Sequence, residues 1–88
     1  MSGAGEFMAR RFEYRVCNVQ QSRVTFVGGE WTGTVPPSDE DSAAALESCP
    51  HVWAYLDGAG YDGWELVGAV GHQTEHGSYE LLYLRRER

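Results

Sequence analysis

The sequence predicts an α+β fold: a two-layer sandwich whose antiparallel sheet has four to five strands, in the order β-β-β-α-β-β, with helix packed on one face. Three observations carry this. Residues 11–19, 64–70 and 78–84 alternate in the period-two manner of strands. Gly28-Gly29 separates two β-prone runs. Gly60-Tyr61-Asp62-Gly63-Trp64-Glu65-Leu66-Val67-Gly68 reads as a helix end, a tight turn and the start of a strand.

The first strand runs from Arg11 to Val19. Phe12, Tyr14 and Val16 form its expected buried face, opposite Glu13, Arg15 and Cys17. Asn18 to Ser22 is polar and reads as a turn. Arg23 to Val27 is a second strand, rich in β-branched residues. A type I′ turn at Gly28-Gly29 needs positive φ at both residues and leads to a third strand over Glu30–Val35, in which Gly33 marks a bulge. Pro36-Pro37-Ser38 ends it.

Acidic residues and a cap at Asp39 to Ser42 precede a short helix over about 40–48, because negative charge suits the positive end of a helix dipole. Pro50 interrupts that helix and suits the first turn of another over 49–59, capped by Ser48. Val52, Tyr55, Leu56 and Ala59 fall on one stripe, flanked by Trp53, and Gly60 is the expected left-handed cap. A strand over Trp64–Val70, a polar loop over Gly71–Gly77 and a strand over Ser78–Leu84 follow. The last strand is apolar on both faces, as befits an interior strand or one covered by a partner.

The chain has 88 residues, with seven Arg, no Lys and a formal net charge of −6. A domain this small buries only about 60–65% of its unfolded surface, so stability is thin and association would add to it. Residues 1–7 read as a cloning remnant, with Met8 the native start and 8–88 a single domain. Arginine without lysine suggests a high-GC bacterial genome. Net negative charge argues against nucleic acid as a partner, although Arg10-Arg11 and Arg85-Arg86-Arg88 would form one patch if the terminal strands pair. No apolar run of membrane-spanning length is present, so the expected setting is the cytoplasm, without a membrane partner. There, Cys17 and Cys49 are expected to be buried thiols rather than a disulfide.

Glu13-Tyr14-Arg15-Val16, the segment from Tyr55 to Val67, and Tyr83-Leu84-Arg85-Arg86 together resemble the bacterial domain-of-unknown-function family 4177. The likeness covers most of residues 11–86, and its most specific part is Gly63-Trp64-Glu65-Leu66-Val67. The long segment from Gly28 to Pro50 departs from the family pattern. The resemblance implies the sheet-plus-helix fold and no established activity.

Candidate chemistry is sparse. His72-Gln73-Thr74-Glu75-His76 has the letters of a zinc-hydrolase helix, but bracketing glycines place it in a loop, leaving His72 and His76 as weak metal candidates and no cofactor expected. Cys49 at a helix start, with His51 nearby, could form an activated thiol. Trp31 lies on a hairpin too polar to bury it, which suggests an interface. The favoured expectation is therefore a non-catalytic module that self-associates, most simply as a dimer, through an uncovered sheet face or an edge strand, or that binds a protein partner. The alternative is a small-molecule binder or minor enzyme with a pocket between helix and sheet, lined by Trp53, Trp64, Cys49 and His51.

Overall fold

The computed structural model describes residues 9–38 and 40–88. The expected cloning remnant and the start at Met8 lie outside the described residues. The elements are β1 (Phe12–Gln20), β2 (Arg23–Val27), β3 (Glu30–Trp31), α1 (Ser42–Glu47), α2 (Val52–Tyr61), β4 (Glu65–Thr74) and β5 (Gly77–Glu87). The strands form one antiparallel sheet in the order β3-β2-β1-β5-β4, with β5 an interior strand as its two apolar faces require. The α+β architecture is the predicted one, with two helices packed against the sheet.

The β2–β3 hairpin turns through Gly28 at φ +59° and Gly29 at φ +85°, the two positive angles that the glycine pair supplies. The β1–β2 turn reaches the same region with Gln21 at φ 49° and Ser22 at φ 64°, neither of them glycine. This turn docks onto α2: the Ser22 carbonyl accepts the Val52 N–H at 2.8 Å, and the Pro50 carbonyl accepts the Val24 N–H at 2.9 Å. An orphan donor of the helix start is thereby satisfied.

The core lies between α2 and the sheet. Cys17, Val19, Val24, Leu82, Leu84, Trp64 and Ala59 are buried together, with Val52, Tyr55 and Leu56 packed against them. The predicted stripe of α2 is thus the stripe that packs. The face of β1 is the reverse of the expectation. Cys17 and Val19 are buried, whereas Tyr14 is 67% exposed and Val16 is also exposed. The register explains it: Cys17 lies opposite Leu82 and Arg15 opposite Leu84, so these side chains share the face that α2 covers.

Several boundaries differ for local reasons. The third strand is two residues long rather than six, because the Trp31 indole N–H donates to the Val35 carbonyl at 2.8 Å and folds the chain back. That return requires Gly33, where a Cβ would meet Ser48 Oγ and lie 2.9 Å from Trp31 Nε1. Helix α1 is capped by Asp41, whose side chain accepts the Ala44 N–H at 3.0 Å. Helix α2 is capped by His51 rather than Ser48: His51 Nδ1 accepts the Trp53 N–H at 3.3 Å. Ser48 Oγ instead donates to the Ala45 carbonyl and accepts the Val35 N–H.

At its far end α2 runs through Gly60, and the left-handed residue is Gly63, at φ +92°. The Gly63 N–H meets the Gly60 carbonyl at 3.0 Å and the Trp64 N–H meets the Ala59 carbonyl at 2.9 Å, the paired bonds of a Schellman motif. The expected loop over Gly71–Gly77 is mostly strand. β4 continues to Thr74, and only Glu75 and His76 make the turn, whose geometry Thr74 Oγ1 fixes by accepting the His76 N–H and donating to the Gly77 carbonyl.

Candidate functional site

The sequence offered two candidate constellations, Cys49 with His51 and His72 with His76. Cys49 is buried between the helices, three residues before α2 begins, and its thiol donates to the Ala45 carbonyl at 3.6 Å. His51 is exposed, with its Nδ1 engaged as the α2 cap. Trp53 is 74% exposed, and its indole meets His51 edge to face at 5.3 Å. Trp64, by contrast, is buried as expected, beneath two guanidiniums: Arg15 and Arg86 lie 4.3 and 4.5 Å from its ring.

His72 sits on β4 opposite Tyr79, with the rings stacked at 4.9 Å, and His76 sits in the β4–β5 turn. Neither is on a helix, so the zinc-hydrolase geometry is not formed. Among the described residues, no group of three His, Cys, Asp or Glu side chains converges as a metal site would require.

The arginine patch does assemble, because β1 and β5 pair with Phe12 opposite Glu87. It is largely neutralised. Arg10 pairs with Glu87 at 3.2 Å, Arg85 with Glu65 at 2.6 Å and Arg86 with Glu13 at 2.9 Å. Arg85 and Arg10 also lie over the Phe12 ring.

Three surfaces remain as sites. The first is a groove of about 580 Å³ between α1 and the β2–β3 hairpin, lined by Trp31, Phe26, Leu46, Pro37, Gln20 and Glu47 among others. Trp31 packs edge to face on Phe26 at 5.3 Å and forms one wall. A second depression, of about 380 Å³, surrounds His72 and Tyr79. Cys49, His51 and Trp53 line neither depression.

The second surface is the sheet face away from α2. Cross-strand pairing sets Tyr14 beside Arg85, Val16 beside Tyr83, and Leu81 beside Val70, so these side chains make one continuous apolar strip across three strands. Tyr14, Val16, Tyr83 and Val70 are all exposed. The sequence signal for this strip was the aromatic and aliphatic content of both terminal strands. The face assigned to the core was the wrong one.

The third is the outer edge of β4, where nine of ten residues are exposed. A bulge between Leu66 and Gly68 resets its alternation, which places Gly68 rather than Val67 opposite Tyr83.

Beneath the sheet, burial pushes the Cys17 thiol above its ordinary 9.0, against the opposing pull of the Tyr55 hydrogen bond and the Arg15 charge. Tyr55 is raised above 10.0 by burial and by its bond to Cys17, although Arg15 donates to its hydroxyl at 2.9 Å. Both folded-state values exceed the unfolded ones, so the unfolded chain releases these protons first. Their contribution to stability is therefore complete below about pH 9 and is lost as pH rises through the folded values. Urea unfolding is expected to show a midpoint that falls as pH rises above about 9, with an onset that moves upward in Cys17→Ala. An unchanged onset in that variant would show that the thiol does not govern it.

No helix among the described residues is long and apolar enough to cross a membrane. Comparison with family models, with curated proteins and with solved structures finds no match to this chain.

Proposed function

We propose that this chain is a non-catalytic interaction module that associates with further copies of itself through the sheet face opposite α2. The observation that carries this reading is the bare strip of Tyr14, Val16, Leu81, Tyr83 and Val70. Large apolar side chains contiguous on an exposed sheet face favour burial against a like surface. The strip is free of unpaired charge: its one guanidinium, Arg85, is held by Glu65. A second copy related by a twofold axis would set apolar residues on apolar residues without opposing like charges. Two buried free thiols fit a reducing setting such as a bacterial cytoplasm.

The test is sedimentation equilibrium on the full chain and on Tyr14→Glu/Tyr83→Glu. Tyr14 is 67% and Tyr83 37% exposed, so both changes fall outside the buried core. Association is expected to weaken by at least about tenfold, because carboxylates would be forced into an apolar contact. Equal association in the two proteins, or a monomer in both, counts against the reading.

The groove beside Trp31 favours a second reading, a small-molecule binder at a place other than Cys49 and His51. Aromatic walls with Gln20 and Glu47 at the rim have the composition of ligand sites.

A further inference from the structure

We propose that β4 pairs edge to edge, antiparallel, with β4 of a second copy, joining two five-stranded sheets into one continuous sheet of ten. This rests on the reading that the chain self-associates, but it uses a different surface from the apolar face.

The first argument is a deficit in the protomer. β1 pairs with β5 only as far as Glu80, so beyond Gly71 β4 and β5 form a two-stranded ribbon that ends at the Glu75-His76 turn. From Ala69 to Ser78 every residue is exposed, so neither helix covers the ribbon. A two-stranded ribbon without a packing layer is marginal in water, and a third strand is what stabilises it.

The second argument is the asymmetry of the sheet's two edges. Exposed edges are ordinarily blunted by short length, by proline or by charge. The β3 edge is two residues long and is soon followed by Pro36-Pro37. The β4 edge is ten residues long and carries no Pro, Lys or Arg. Its single carboxylate, Glu65, is already taken by Arg85. Its bulge lies at the end next to α2 and leaves Gly68 to Thr74 in unbroken register. A row of outward N–H and C=O groups is thus presented without the usual protection.

The third argument selects the occupant. Antiparallel pairing of β4 with itself about a twofold near Ala69 to Gly71 places Glu65 at opposite ends of the joined strands. The two carboxylates are then roughly 25–40 Å apart, at about 3.3 Å per residue. No other formally charged residue lies on the strand, so self-pairing brings no like charges together. The apolar strips of the two copies also become continuous, because Val70 of each lies beside the axis.

Because the two-residue turn pairs Thr74 with Gly77, alternation along the ladder turns the backbone groups of Ala69, Gly71 and Gln73 outward. Lysines at Ala69 and Gly71 would stand at the axis, on the side of the sheet away from the apolar strip. The experiment combines Ala69→Lys/Gly71→Lys with single cysteines at Ala69→Cys, Val70→Cys and Gly71→Cys. The native Cys17 and Cys49 are buried, and Tyr61→Cys, at a site 96% exposed, is the control.

The expected result is that at least one β4 cysteine forms disulfide-linked dimer about tenfold or more faster than the control, reflecting its raised effective concentration. The lysine pair is expected to reduce the assembly mass while leaving the far-ultraviolet dichroism of a folded chain. Both interfaces together give a closed tetramer where their twofold axes are perpendicular and intersect, and an open polymer otherwise. The face variant then leaves an edge-paired dimer, and the lysine variant a face-paired one. Cross-linking no faster than the control, with mass unaltered by the lysines, overturns the edge proposal even if the face variant dissociates. Rapid cross-linking with an inert face variant sustains the edge and refutes the face.

Discussion

Replacing Trp64 by alanine is expected to cost about 3–5 kcal/mol of stability and to lower the melting midpoint by roughly 15–30 °C for a chain of this size. The indole is 7% exposed and sits where α2 meets the sheet. Its backbone N–H closes the Schellman motif on Ala59, which packs in the same cluster. Its ring is capped by Arg15 and Arg86, each with a second anchor: Arg15 donates to Tyr55, and Arg86 to Glu13 and the Asp62 carbonyl. Alanine would empty the largest side chain from the core and leave two guanidiniums without the ring face that partly desolvates them. Since small domains carry only about 5–15 kcal/mol in total, the variant should be largely unfolded on modest warming. Trp53→Ala is the internal control. That indole is mostly exposed, and its loss is expected to fall within about 0.5 kcal/mol. Thermal melts followed by circular dichroism compare the two. Similar midpoints would mean that Trp64 does not organise the core.

The contrast between these tryptophans marks what the sequence could reveal. Trp64 was legible because its setting is local: glycine before, strand after, helix stripe behind. The Gly28-Gly29 turn and the Val52-Tyr55-Leu56-Ala59 stripe were legible for the same reason. The covered face of β1 was not. Phe12, Tyr14 and Val16 are bulkier than Cys17 and Val19, so composition favours burying them. The choice is made by partners far away in sequence, because Leu82 and Leu84 supply a flat apolar floor for α2 and Arg15 reaches Trp64 from the same side. The β4–β5 ribbon was read as a loop because water on both of its faces removes the period-two signal. The groove beside Trp31 depends on α1 approaching Phe26, a contact that no local pattern encodes. Which residues line the bare sheet face and the long sheet edge is decided only by tertiary pairing.

The two glycines around the α2 terminus provide the sharpest separation of local pattern from realised geometry. Gly60→Ala is expected to stabilise the domain by about 0.5–1 kcal/mol, because alanine loses less backbone freedom in a helix. Gly60 lies within α2, has no positive φ, and a Cβ there meets only open space. Gly63→Ala is expected to destabilise by about 1–2 kcal/mol, the cost of a Cβ in the left-handed region. Its φ is +92°, and the added Cβ would lie 3.3 Å from Arg86 Cδ, in the side chain that stacks on Trp64 and binds Glu13. The two changes are chemically identical and three residues apart, yet their effects should have opposite sign and differ by about 1.5–3 kcal/mol. Urea unfolding at a single pH measures both. Were Gly60→Ala the more damaging variant, the cap would lie at Gly60, α2 would end a turn earlier, and Trp64 could not reach the Ala59 carbonyl that fixes it over the core.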